Sequence, residues 1–538
     1  MKHLPLNTNY GCLINNSYMY YGLVGELYVY SDNLNIFKYD KNKLVLLKNG
    51  VEYLRFEDNL ENDGLLVRTV GNNKLYIKNN DILYMETTIK SRRIEKGVRS
   101  LKYDDNFITF DIECYLGEKI GDKEIFKFIP YACAWYGAND NKTYTIKDYK
   151  SWENMLNELL NLIEKKYNKY TIYVHNLKSF DSLFIFKTLV KRYKTKVLFK
   201  NGGFLSIRLS TNKFINFNFK DSLALLPLSL TKLNSSFDTG VENILFPYKF
   251  VSENKLDYEG ELPLYDNFDP TLKNLKKYEK YEALVEEFKD KDWNLIEETK
   301  RYVNSDVESL YKIIDKWSKE IYEMERINIT DVVSISNLAL KIFLTNYYDP
   351  DKTPFHIMRH KQYKEIKESY YGGRVEVFKT YGENLYYYDV NSLYPYVMLQ
   401  DMPIGNATLS TDPDLNNYFG FCYVTVKVPE NTYNPILPYR DDEGNIYNPT
   451  GEWSGMYSSE LLKLAIEIND VEITVHYGYK FDRGKDIFKD FVEHYYNIKL
   501  KSKDNEVLRL LAKLILNSLY GRFGLRHQLT KTEFFNRE

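Results

Sequence analysis

The run Phe107-Ile108-Thr109-Phe110-Asp111-Ile112-Glu113-Cys114 limits the fold more than any other stretch of this chain. Side chains alternate across a strand, so Ile108, Phe110, Ile112 and Cys114 fall on one face and Asp111 and Glu113 on the other. The apolar face asks for a core. Two carboxylates on a buried second face would repel each other unless a cation neutralised them. An edge strand with one solvent face would show the same alternation, so the weight of this run depends on what accompanies it.

Two further pieces do. Tyr173-Val174-His175-Asn176 reads as a strand end, leading through Leu177-Lys178-Ser179 to Phe180-Asp181 and the helical run Ser182-Leu183-Phe184-Ile185-Phe186. Asp181 would also suit an ordinary helix N-cap. Further on, Tyr302 and Asp306 sit four apart in the helical run 299–307 and share one face. Carboxylates on a strand, facing a helix that carries a Tyr and an Asp, suit two-metal phosphodiester hydrolysis, with the Tyr hydroxyl orienting water.

A second set of motifs lies downstream. Tyr386-Tyr387-Tyr388-Asp389 is a short β-prone run ending on one carboxylate, followed by a turn with Ser392, Tyr394 and Pro395. Such a carboxylate can hold a divalent cation, the backbone after it a triphosphate, and the Tyr can lie under a sugar. Before it, Tyr370-Tyr371-Gly372-Gly373-Arg374 offers paired glycines for close backbone approach and an Arg for phosphate. Residues 507–520 read as a long helix ending at Gly521. Arg509, Lys513, Asn517 and Tyr520 form one polar stripe on it, and Leu510, Leu511, Leu514 and Ile515 pack the other side. Two cations one turn apart repel, which points to an anionic partner between them.

Composition bounds the rest. At 538 residues with 44% hydrophobic and 28% charged side chains, the chain is long enough for two to four globular domains. No apolar run is long enough for a bilayer span, and the N-terminus shows no signal or transit pattern. Cys12, Cys114, Cys133 and Cys422 are scattered, which argues against a disulfide framework and a zinc ribbon. The net charge of −2 gives no global field for nucleic acid, although residues 352–379 carry seven Lys/Arg against three Glu. The 50 Tyr and 30 Phe reflect A·T-rich codon usage more than base stacking.

In this order and at these separations the first three pieces resemble the exonuclease motifs of proofreading DNA polymerases. The later ones resemble the Tyr-x-Gly-Gly, palm and Lys-x-x-x-Asn-Ser-x-Tyr-Gly fingers motifs of family B. The chain is similar to protein-primed family B DNA polymerases of the kind carried by linear mitochondrial plasmids. The resemblance implies that Asp111, Glu113, Asp181 and Asp306 hold metals with Tyr302 beside them, and that Asn176 and Phe180 grip a single-stranded 3′ end. Ser229-Leu230-Thr231-Lys232-Leu233 is similar to the Ser-Leu-x-x-apolar element that contacts the same strand or the priming protein. By the same resemblance Tyr370, Gly372, Gly373 and Arg374 track the template, and Asp389 holds the catalytic Mg2+. Tyr394 excludes a ribose 2′-OH, Arg509 and Lys513 bind the incoming triphosphate with Asn517 beside them, and Tyr520 packs on the nascent base pair.

The expected architecture is therefore α/β and α+β multidomain. A β-rich region spans 1–98 and an RNase-H-like 3′–5′ exonuclease domain 99–318. An incomplete palm and fingers with an insertion span 319–538. Gly451-Glu452-Trp453-Ser454 lies in the region where protein-primed members hold the priming protein. The family's Tyr-x-Asp-Thr-Asp hairpin and thumb are not found after Gly524, so the chain is expected to be a fragment or the product of an interrupted gene, doubtful as a polymerase. The implied cofactor is Mg2+, with Mn2+ as an alternative. The implied partners are primer-template and single-stranded DNA, deoxynucleoside triphosphates and a terminal priming protein, without a membrane. A mitochondrial location is expected, a viral origin being the alternative. A catalytically inactive remnant that only binds single-stranded DNA is the rival to the enzyme.

Overall fold

The computed structural model describes residues 93–538 apart from 120–125, 201, 212–214, 269–274, 359, 412, 526–530 and 535–538; between residues 8 and 87, and over 531–534, it describes backbone strands only. Ten strands between Thr8 and Thr87 form an antiparallel sheet of six and another of four. The β-prone runs at Leu27–Tyr30 and Lys43–Lys48 are among them. The chain divides into two compact units. One comprises residues 1–96, 348–391 and 397–487, the other 97–347, 392–396 and 488–538. The expected division at 318/319 falls inside the helix Leu295–Glu325, so no domain boundary lies there.

The second unit is built on one mixed sheet. Its strands are β1 (Phe107–Lys119), β2 (Phe126–Tyr136), β3 (Asn141–Thr145), β4 (Thr171–Val174), β5 (Lys194–Lys200), β6 (Gly203–Ser210), β7 (Asn216–Asp221) and β8 (Lys531–Phe534), in the order β3-β2-β1-β4-β7-β6-β5-β8. β1 pairs antiparallel with β2 and parallel with β4, so it is interior and not an edge. Its apolar face, Ile108, Phe110 and Ile112, is buried with Met155, Leu156, Leu159 and Leu160 of α1 (Trp152–Lys166) and with Ile185 and Leu189 of α2 (Ser182–Arg192).

The other face of β1 meets the long helix α4 (Leu295–Glu325), which follows the shorter α3 (Leu230–Phe237). Asn294 caps α4 by accepting from the Glu297 N–H, and Glu297 and Glu298 favour its N-terminal dipole. Val303 and Val307 pack on Ala134 of β2. The buried Thr109 hydroxyl donates to the Val307 carbonyl at 2.7 Å, fixing helix against strand one residue from Asp306. Besides the helices Ile146–Tyr149 and Leu275–Glu287, the unit also holds α5 (Ile335–Ile342), α6 (Lys489–Lys501) and α7 (Glu506–Phe523). α7 rests on α3, α5 and α6 through Leu511, Ile515, Leu516 and Leu519. The helix continues through Gly521 to Phe523, two residues past the expected end.

In the first unit, four antiparallel strands (Met402–Ser410, Glu472–Gly484, Gly420–Val428, Gly451–Ser458) carry the helix Ser459–Asn469. Cys422, Val424, Val426, Leu462 and Ala465 form its core. The expected strand ending at Asp389 is not formed. Tyr386, Tyr387 and Tyr388 are 83%, 91% and 87% exposed and belong to no sheet. β propensity alone does not hold a strand, which needs a neighbour for its backbone bonds, and among the described residues none pairs with 386–389.

Phe110 is buried at the centre of the apolar face. Phe110→Ala is expected to lower the unfolding free energy by about 3–5 kcal/mol in urea titration; a loss under about 1 kcal/mol would contradict this packing.

Candidate active site

The parallel register of β1, β4 and β7 aligns the ends of β4 and β7 with the middle of β1. Phe110 lies opposite Val174, and Val174 opposite Asp221. His175-Asn176 and Asp221 thus sit at the carboxyl ends of β4 and β7, level with Asp111 where β1 runs on past its last pairing with β4; open α/β sheets form their crevices at such ends. Across that edge runs α4 with Asp306. Ligand oxygens of Asp111, Glu113 and Asp306 lie within 4.8 Å of one another, and this trio is the one such acidic group among the described residues.

Asp181 stands beside the trio. It holds the N-cap position of α2 but makes no capping bond; its Oδ1 is buried without a partner. The ordinary N-cap alternative therefore does not apply. The electrostatics match a site built for positive charge. Burial raises the Asp111 carboxyl well above the usual range, and the charges of Asp181, Glu113 and Asp306 add to it. Glu113 is raised likewise by burial, then by Asp306 and Asp181. Burial takes Asp181 to about 8, against hydrogen bonds from the Asp181 and Ile112 backbone. It takes Asp306 to about 6, against the Tyr302 hydroxyl. A divalent cation would reverse this penalty, so the residues present fit the expected metal.

Tyr302 shares its hydroxyl between Asp306 and the Tyr248 hydroxyl, and Phe246 stacks on its ring at 5.0 Å. Tyr248 is a site residue that the sequence reading missed: it lies 54 positions from Tyr302, and no local pattern links them. Phe180 packs edge-to-face on Phe128 and Phe184, with centroids 5.5 and 5.2 Å apart. Asn176 has a left-handed backbone at φ 75°, a conformation Asn tolerates better than most residues.

Ser229 caps α3 by accepting from the Lys232 N–H, and Leu230 opens that helix. Another stretch of the same Ser-Leu-x-x-apolar spelling, Ser222-Leu223-Ala224-Leu225-Leu226, adjoins the turn. The Ser222 hydroxyl lies 3.0 Å from Nδ1 of His175. Asp221 and Ser222 were also outside the sequence expectation, although Asp221 ends a β-prone run.

The downstream residues divide between the units. In the second unit the polar stripe of α7 is as expected, with Arg509, Lys513 and Asn517 exposed. Tyr520 stacks on Tyr394 at 4.2 Å and 6°, so the two tyrosines expected at the nucleotide meet face to face. In the first unit Asp389 is exposed and joins no acidic group among the described residues. Arg374, expected to reach phosphate, pairs with Glu376 and donates to Asn434 at 2.7 Å and the Pro435 carbonyl at 2.9 Å. Tyr370 is exposed, and among the described residues nothing lies within 4 Å of a Cβ added at Gly372 or Gly373.

Residues 162–538 match the family model described as DNA polymerase type B, organellar and viral. A probable DNA polymerase of Neurospora intermedia is 30% identical over 526 residues, covering 90% of this chain and 54% of that protein. One of Agaricus bitorquis is 30% identical over 510 residues, covering 88% and 62%. The chain thus spans between 54% and 62% of the length of these relatives. In fold it is similar to phi29 DNA polymerase complexed with primer-template DNA, with TM-score 0.55 and 18% identity over 79% of this chain and 69% of that one. It is also similar to the ternary complex of that polymerase with primer-template DNA and incoming nucleotide, with TM-score 0.52 and 20% identity over 77% and 67%.

Because the folded pKa of each carboxylate lies above its unfolded value near 4, the folded protein holds more protons. That stability is fully present below the unfolded value and is lost as pH rises through the folded ones, about 6 for Asp306 and about 8 for Asp181. In EDTA, the melting temperature is therefore expected to fall from about pH 5 to about pH 8, and MgCl2 or MnCl2 should raise it more at the higher pH. A pH-independent midpoint, or no shift with either salt, would contradict the electrostatics.

Proposed function

This chain belongs to the type B DNA polymerases of organelles and viruses, and on that premise we propose that it carries a 3′–5′ exonuclease centre of a protein-primed replicative polymerase. The observation that supports this reading best is the convergence of the buried Glu113 with the half-buried Asp111 and Asp306 within 4.8 Å, beside the unpartnered Asp181 oxygen. Mg2+ is the proposed cofactor, Mn2+ its substitute; bound between these carboxylates, two cations would stabilise charge on the attacking and leaving oxygens.

The chain's own groups account for the remaining steps. Asn176 and Phe180, on the turn that leads from β4 to Asp181, hold the terminal nucleotides of a single strand in this reading, Phe180 offering an aromatic face to a base. Tyr302, fixed by Tyr248 and Asp306, orients the water that attacks the terminal phosphodiester. The product is a deoxynucleoside monophosphate and a strand shorter by one.

For synthesis, we assign Arg509 and Lys513 to the triphosphate of an incoming deoxynucleotide and Asn517 to the same face. The Tyr394–Tyr520 pair stands at the base and sugar. Asp389 is the proposed palm ligand and the Tyr370–Arg374 loop the proposed template track. Polymerisation and use of a terminal priming protein are proposed for the longer protein that the relatives represent. The A·T-favoured composition supports action in a mitochondrion, a viral setting being the alternative.

With purified chain and a single strand labelled at its 3′ nucleotide, Mg2+-dependent release of label is expected. Asp111→Ala/Glu113→Ala should lower the rate by about 1,000-fold or more, as loss of paired metal-holding groups does. Folded wild type that binds the strand without releasing label would favour the inactive, strand-binding alternative.

A further inference from the structure

We propose that Asp221 is a positioning residue for the exonuclease centre, the anchor that sets the turn carrying Asn176, Phe180 and Asp181. The inference rests on the nuclease reading above and deepens it. The Asp221 side chain is only 2% exposed. Its Oδ1 accepts from the backbone N–H of Asn176 at 3.3 Å and of Leu223 at 2.9 Å; its Oδ2 accepts from the Lys178 N–H at 3.0 Å. No cation lies among these partners. A buried carboxylate satisfied by backbone donors alone acts as a fixed acceptor, and it favours the one backbone shape that aims those donors at it.

That shape is the left-handed Asn176. From it, backbone hydrogen bonds pass to Phe180 and to the residues flanking Asp181. The Asn176 carbonyl accepts from the N–H groups of Ser179 and Phe180, and the Leu177 carbonyl from Ser182, the residue after Asp181. The turn is also pressed from outside: a Cβ at Gly203 would lie 2.2 Å from the Lys178 carbonyl oxygen. With β7 in register beside β4, one carboxylate locks the strand-gripping pair and Asp181 relative to Asp111 on β1. Asp221 touches neither the strand nor the cations in this scheme; it acts through the turn.

The test uses the full chain with Asp221→Ala, Asp221→Asn, Asn176→Ala, Asp221→Ala/Asn176→Ala and Asp111→Ala/Glu113→Ala. Each is assayed below its own melting temperature for binding of a fluorescent oligothymidylate in Ca2+ and for hydrolysis of it in Mg2+. Asp221→Ala should lower kcat/KM by about 100-fold, the scale of a misplacement near 1 Å, and weaken strand binding. Asp221→Asn, which keeps the volume and one acceptor, should be intermediate. The double variant should fall no further than about threefold below the worse single one, since both act through one turn. Should the Ala variant not fold, Asp221→Asn carries the test alone. Wild-type kcat/KM and binding in the Asp221 variants, or multiplicative losses in the double variant, overturn the proposal. A wild type without Mg2+-dependent hydrolysis, or an undiminished Asp111→Ala/Glu113→Ala, overturns the nuclease reading instead.

Discussion

The mutual repulsion of carboxylates held away from water organises the sheet-based unit of this protein. Two of them come from one strand because side chains alternate, and both faces of that strand are covered, one by α1 and α2 and the other by α4. Alternation makes the pair unavoidable once the apolar face is buried. The helix then adds Asp306, and the turn after β4 adds Asp181. A sheet that wanted only stability would place apolar groups there. The arrangement is consistent with a fold that concentrates negative charge for a cation and, through it, for phosphate.

The supporting contacts follow from this concentration. Thr109 to Val307 fixes the helix longitudinally on the strand. Tyr248, Phe246 and Asp306 fix the Tyr302 ring and hydroxyl. Asp221 receives three backbone N–H groups at the end of the third parallel strand. The Thr109–Val307, Tyr248–Tyr302, Asn176–Asp221 and Lys178–Asp221 bonds link elements distant in sequence, so the ligand geometry depends on tertiary packing rather than on any single motif.

That division explains what could be read from sequence. Asp111 and Glu113 were legible because strand alternation is a local rule, and Tyr302 with Asp306 because helical spacing is. The polar stripe Arg509–Lys513–Asn517 was legible for the same reason. Tyr248 and Asp221 were not, since what defines them is a partner some 45 or more positions away. At Ser229 the spelling fitted, and the hydroxyl also accepts the capping bond of α3. The tyrosine run before Asp389 shows the opposite failure. Its propensity is high, yet a strand is a property of pairs, and no described strand adjoins it.

The convergence of the acidic side chains can be observed directly. Crystals of the chain soaked in MnCl2, with diffraction recorded at a wavelength where manganese scatters anomalously, should show peaks between Asp111, Glu113 and Asp306 and next to the Asp181 oxygen. Density absent there, or four carboxylates too far apart to share an ion, would contradict the account.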